Sequence, residues 1–131
     1  MNRRSILAGL GAVASITCLL APTPAHAASG QVYAWLPSGS TGYGSFVPNG
    51  DQLVVDDYTP AGGWRVRASV QKYNSGKDAW QALFSCTAKE GQSVPTKCAQ
   101  DIPEGTLVRV HVWMYEGSNT KWDAYSATTH A

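Results

Sequence analysis

Three histidines, nine carboxylates and three cysteines are the side chains here that could carry acid–base, metal or sulfur chemistry. His111 has the most suggestive setting. It alternates with Arg109 and Trp113 inside Thr-Leu-Val-Arg-Val-His-Val-Trp-Met-Tyr, residues 106–115. A histidine there could be a general base, although an exposed strand residue is the plainer reading. His130 stands next to the C-terminus, where chains usually fray. No Gly-x-Ser-x-Gly elbow surrounds any serine beyond residue 27, and nothing in the sequence brings a serine, a histidine and an aspartate together. Asp51, Asp56, Asp57, Asp78, Asp101, Glu104 and Asp123 could supply a glycosidase pair. They fall almost entirely at strand ends or in turns, where aspartate commonly bonds the local backbone. Asp56-Asp57 suggests calcium by its oxygen ligands, but it fits no calcium-loop spacing and reads as an ordinary turn. No catalytic residue, metal site or cofactor is expected.

Residues 1–27 carry export features. Met1-Asn2-Arg3-Arg4 is basic, Ile6 to Leu20 is apolar, and Ala25-His26-Ala27 is a small-x-small cleavage signal. The apolar run is shorter than the ~20 residues of a membrane span, and no second run follows. The expectation is a signal peptide over 1–27 that is removed, a single domain over 28–131, secretion, and no membrane attachment afterwards. Arg3-Arg4 leaves twin-arginine and general export both open. Cys18 is expected to leave with the signal. Of ten Lys+Arg, losing Arg3 and Arg4 leaves eight against nine acids, a net charge of −1. There is no basic excess for phosphates, which argues against nucleic acid.

Cys86 and Cys98 then remain. In an exported chain they read as a disulfide, worth roughly 3 kcal/mol for a loop of about a dozen residues. With no histidine or third cysteine nearby they make a poor zinc site.

The elements that must position these groups are strands. In 106–115, Val108, Val110, Val112 and Met114 share one face; Leu107, Arg109, His111, Trp113 and Tyr115 share the other. A period of two among β-branched and aromatic residues marks a strand with one face in a core. Trp64 to Tyr73 repeats the pattern, with Trp64, Val66, Ala68 and Val70 inward and Arg65, Arg67, Ser69 and Gln71 wet. Trp80, Ala82, Phe84 and Cys86 alternate with Gln81, Leu83 and Ser85. Shorter strands are expected at 32–36, 43–47 and 52–56, the last two joined by the hairpin signal Asn49-Gly50. Trp122, Ala124 and Ser126 form one face of a strand over 121–128. Residues 87–103 lack periodicity and are expected to be irregular.

About seven strands between turn clusters predict an all-β, small antiparallel sandwich, immunoglobulin-like in the broad sense, with one disulfide. A small barrel is the alternative. Gly50-Asp51-Gln52-Leu53-Val54-Val55-Asp56, then Gly63-Trp64-Arg65-Val66-Arg67-Ala68, two cysteines, and Ile102-Pro103-Glu104-Gly105-Thr106-Leu107-Val108-Arg109-Val110 form an order that resembles small secreted actinobacterial β-sandwich proteins of unknown function. The resemblance covers roughly Gly50 to Ala127. It implies export and fold, and it brings no catalytic residues.

Aromatic content is the remaining signal, with five tryptophans and six tyrosines. Trp64, Trp80 and Trp122 read as core; Tyr33, Trp35, Tyr43, Trp113, Tyr115 and Tyr125 are unassigned. If the Trp64 and Thr106 strands share a sheet, Arg65, Arg67, Arg109, His111 and Trp113 line one outer face. Aromatics beside arginine make good contact surfaces. The expectation is therefore a monomeric, non-enzymatic binding protein whose partner is an extracellular protein or cell-surface glycan. A protease or glycosidase inhibitor presenting the bridged 86–98 segment is the alternative, and a small hydrolase using His111 is less favoured.

Overall fold

A computed structural model describes residues 30–37, 41–59, 62–89 and 94–131. The segment assigned to export, residues 1–27, lies outside them. The described residues form nine strands: β1 Val32–Trp35, β2 Gly42–Val47, β3 Gln52–Asp57, β4 Arg65–Asn74, β5 Ala79–Thr87, β6 Thr96–Ala99, β7 Leu107–Glu116, β8 Asn119–Tyr125 and β9 Thr129–His130. One antiparallel sheet runs β1-β2-β3-β6. The other runs β5-β4-β7-β8, with β9 also on β7. The fold is a small β-sandwich, as the alternation requires.

The core is the inner face of both sheets. Val108, Val110, Val112 and Met114 of β7 are buried, as are Val66, Ala68 and Val70 of β4. Phe46, Leu53 and Val55 oppose them from the other sheet. Each Val, Leu, Phe or Met among them contributes about 1.5–3 kcal/mol by leaving water. Gly44 sits where the layers press closest. A Cβ there would lie 2.8 Å from the Ala68 Cβ and 3.0 Å from a Val110 methyl.

The β2–β3 hairpin turns through Pro48-Asn49-Gly50-Asp51, with Gly50 and Asp51 in positive φ. The buried Asp51 carboxylate then accepts the Ile102 amide at 2.9 Å. That candidate acid is thus a structural tie between the hairpin and the approach to β7.

Two stretches differ from the sequence expectation. Residues 87–103 are not wholly irregular, because Thr96–Ala99 pairs with β3. The Cys86–Cys98 disulfide, Cα–Cα 5.8 Å, therefore links β5 of one sheet to β6 of the other. Four residues, Thr-Lys-Cys-Ala, with no bulky apolar side chain carry too little pattern to be read as a strand. Nor does the C-terminus fray. His130 pairs with Leu107 and Thr129 with Val108, the Thr129 hydroxyl donates to the Gly30 carbonyl at 2.9 Å, and the Ala131 amide donates to Thr106.

Candidate functional site

β4 and β7 are neighbours in one sheet. Their register sets Arg65 opposite Tyr115, Arg67 opposite Trp113, Ser69 opposite His111 and Gln71 opposite Arg109. Because alternate residues share a face, Arg65, Arg67, Arg109, His111 and Trp113 do lie together on the outer surface of the five-stranded sheet. Arg65 is turned aside from it, with its guanidinium donating to the Ala88 carbonyl at 3.0 Å. Arg67 is exposed.

Arg109 is the hub. Its guanidinium carbon stands 4.4 Å from the Trp80 ring centroid and 4.2 Å from that of Tyr125. Its Nε donates to the Gln71 side-chain oxygen at 2.9 Å. The guanidinium is thereby attracted by two negative ring faces while its edge is hydrogen-bonded. Beyond Tyr125 the stack continues. The His111 ring lies 4.4 Å from Tyr125 at an interplanar angle of 8°, and 4.8 Å from Trp113 at 29°. His111 Nε2 is 3.0 Å from an Asp123 carboxylate oxygen. At the other end Tyr73 packs on Trp80 at 5.4 Å. The result is one ladder of rings around a single guanidinium, crossing four strands.

Two β-bulges shape this face, one bringing Trp80 into the ladder and one setting Trp122 beside it, and both correct the sequence reading. In β5 the register slips at Val70/Gln71, so that Val70 faces Phe84 but Gln71 faces Ala82. Leu83 is the extra residue. It moves Trp80 and Ala82 to the outer face while Phe84 and Cys86 stay inside, so Trp80 is not a core residue. In β8 the slip falls at Trp113/Met114, with Asp123 opposite Trp113 and Lys121 opposite Met114. Trp122 is extra. A regular strand would send it inward with Ala124; instead it stands 44% exposed with φ 47°. A bulky side chain in the left-handed region is a genuine outlier. Such strain is held in place by its surroundings and gathers at functional sites. Trp64, the third tryptophan expected inside, does pack against the core.

The β8 bulge opens a cavity of about 440 Å³ lined by His111, Trp113, Thr120, Lys121, Trp122 and Asp123. That volume falls within the ~300–1,000 Å³ of small-ligand clefts. Lys121 Nζ sits 4.0 Å from the Trp122 ring centroid and 5.3 Å from that of Trp64. A neighbouring hollow of about 400 Å³ shares Lys121 and Trp122 and reaches Trp64 and Met114.

Of the other candidate acids, Asp57 accepts the Thr59 amide and hydroxyl and the Val66 amide, and Asp56 accepts the Asp57 amide. These are turn-capping bonds of the expected kind. Among the described residues no three His, Cys, Asp or Glu side chains gather as a metal site.

Sequence reasoning missed Trp80, Lys121, Trp122, Asp123 and Tyr125 as members of this face. Asp123 and Tyr125 had a usable signal. The turn at Glu116-Gly117-Ser118-Asn119 makes β8 the neighbour of β7, and their parity opposite Ala124 puts them beside His111 and Trp113. Trp80 and Trp122 had none, since a bulge reverses parity without a distinctive residue.

Comparison with known proteins finds no matching family model, curated protein or solved structure.

Proposed function

We propose that this protein is a secreted, non-enzymatic binding module that takes an acidic cell-surface glycan onto the outer face of its five-stranded sheet. The observation that carries the reading is the cleft at the β8 bulge. Trp113 and Trp122 offer ring faces to the apolar side of a pyranose. Lys121, His111, Asp123 and Thr120 offer hydrogen-bonding groups around it. A small set of polar groups among aromatic ones is the usual make-up of a ligand cleft. The charge balance favours an anion. Arg67, Arg109 and Lys121 line or flank the cleft, whereas its carboxylate, Asp123, is already bonded to His111. Export follows from the features of residues 1–27 and accords with the disulfide.

The His111–Asp123 pair invites a hydrolase reading. Against it, the cleft lining holds a single carboxylate, whereas glycoside hydrolysis commonly uses two. Ser69, the hydroxyl opposite His111 across β4 and β7, is 2% exposed and closed to substrate. For the inhibitor reading, Cys98 lies within a paired strand, so the bridge staples two sheets more than it stiffens a loop.

A glycan array carrying acidic and neutral sugars tests the proposal. The native protein should favour acidic members, and Arg109→Ala combined with Trp113→Ala should abolish the signal. Retention of one protein from culture medium, with no glycan bound, would replace the glycan by a protein partner. Unchanged binding by the double variant would reject this face.

A further inference from the structure

The opposite surface of the sandwich carries a second aromatic group that the ladder does not use. Trp35 of β1, Tyr43 of β2 and Asp56 of β3 form one cross-strand row. Tyr33 stands one step along β1, and Tyr58 follows β3. The ring centroids are 6.1 Å apart for Tyr33–Trp35, 5.9 Å for Tyr33–Tyr43, 4.7 Å for Trp35–Tyr43 and 6.2 Å for Tyr43–Tyr58. Tyr33, Trp35 and Tyr58 are each nearly half exposed, at 46, 48 and 47%. Three large rings left in water on one small patch, when the chain has a core to hide them in, is the kind of exposure that marks a contact surface.

We infer that this patch is a second binding site, a platform for a neutral polysaccharide chain. Ring spacing and charge select the ligand. Rings that already touch one another leave no slot for a cation of the kind Arg109 occupies between Trp80 and Tyr125, so an ammonium cage is the wrong geometry. What remains is a cluster of rings across three strands, in which Tyr33 and Trp35 are near-parallel at 14° and Tyr43 is tilted from them by 50° and 39°. The slightly positive C–H groups on the flat side of a pyranose meet the negative face of an aromatic ring, and successive sugars can lie along such a strip.

Charge then excludes acidic polymers. The ionisable groups of the patch are three phenols and the Asp56 carboxylate. Burial, and next to it Asp56, hold the Tyr43 and Tyr58 phenols above their ordinary range. They therefore stay protonated: Tyr58 donates to Asp56, and the Tyr43 hydroxyl can donate to a sugar. Within the strands of this sheet the one Lys or Arg is Lys97, which belongs to β6 at the edge remote from β1. A uronate, sulfate or phosphate would meet the Asp56 carboxylate on a sheet whose neighbouring strands β1 and β2 carry no cation. The two sheets present their outer surfaces in opposite directions, so this ligand and one on the β7–β8 face do not compete for space.

The test is depletion of the full-length exported protein from solution by microcrystalline cellulose and by chitin. At least one should retain the native protein, with retention unchanged between low and high salt because the contact is uncharged. Tyr33→Ala with Trp35→Ala should weaken retention at least tenfold, and Arg109→Ala should leave it intact. Both platform rings are half exposed, so the variant should keep native circular dichroism; Trp35→Phe, which keeps a ring, should retain most of the binding. Failure of both polymers to retain the native protein overturns the inference. So does equal retention of the double variant, or retention that collapses with salt. Loss through Arg109→Ala alone would assign the polymer to the other face and overturn the platform while leaving the proposed function standing.

Discussion

Replacing Trp122 separates the contribution of its ring from that of its backbone. Trp122→Ala and Trp122→Gly both remove the ring beneath Lys121 and the ring face lining the cleft. They differ in what φ 47° costs. An alanine in the left-handed region carries a penalty of roughly 1–2 kcal/mol. Glycine escapes it but loses about 0.5–1 kcal/mol more chain entropy on folding. The balance leaves Trp122→Gly more stable than Trp122→Ala by about 1 kcal/mol. In a domain of this size that corresponds to roughly 4–8 °C in melting temperature. Against the native protein, Trp122→Gly relieves a strained residue costing about 1–3 kcal/mol, and loses a cation–π contact worth about 0.5–1 kcal/mol and about 0.5–1 kcal/mol of chain entropy. It should melt close to the native temperature. Both variants should lose glycan binding alike. Thermal melts followed by circular dichroism, beside one binding titration, read all of this. If Trp122→Ala is as stable as Trp122→Gly, the backbone there is unstrained and the bulge has not been held open for the ring. If binding survives in both, Trp122 is not part of the site.

Other expectations follow from the layers and the phenols. Cys86→Ser with Cys98→Ser should lower stability by about 3 kcal/mol by the loop-entropy relation for a separation of 12 residues, seen in urea denaturation; a change under about 1 kcal/mol would mean that the staple between sheets does little. Gly44→Ala should cost about 1–3 kcal/mol by overpacking against Ala68 and Val110, and an unchanged urea midpoint would show that the layers yield. Tyr43 and Tyr58 should ionise above their ordinary value of 10.0 in an ultraviolet pH titration. Since the folded protein holds these protons more tightly, the stability they supply is complete below pH about 10 and is lost as pH rises through the folded values. Asp56→Asn should move both transitions downward, and no movement would remove Asp56 as a cause.

The sandwich was legible in the sequence because β4 and β7 alternate without interruption. Val66, Ala68, Val70 and the series Val108 to Met114 could face only a core, and sharing one sheet then put Arg67, Arg109, His111 and Trp113 on the opposite side. The rest depended on features without a local signature. Leu83 and Trp122 each add one residue to a strand, and each reverses the parity of what lies beyond it. Those two insertions carry Trp80 and Trp122 out of the expected core into the ladder and the cleft. Thr129 and His130 pair only because Ala131 and the 104–106 turn meet in space, a long-range contact invisible to any short window. The platform rings were visible as residues, yet only the order β1-β2-β3 gathers Tyr33, Trp35, Tyr43 and Tyr58 on one surface.

The most direct measurement is calorimetric titration of the protein with the acidic oligosaccharide that scores highest on the array, run at about 0.01 M and about 1 M salt, where the screening length falls from ~30 to ~3 Å. Saturable one-site binding that weakens at high salt and vanishes in the Arg109→Ala, Trp113→Ala variant is the expected result. Binding of equal strength in native and variant protein, or none at either salt, would contradict a glycan site on this face.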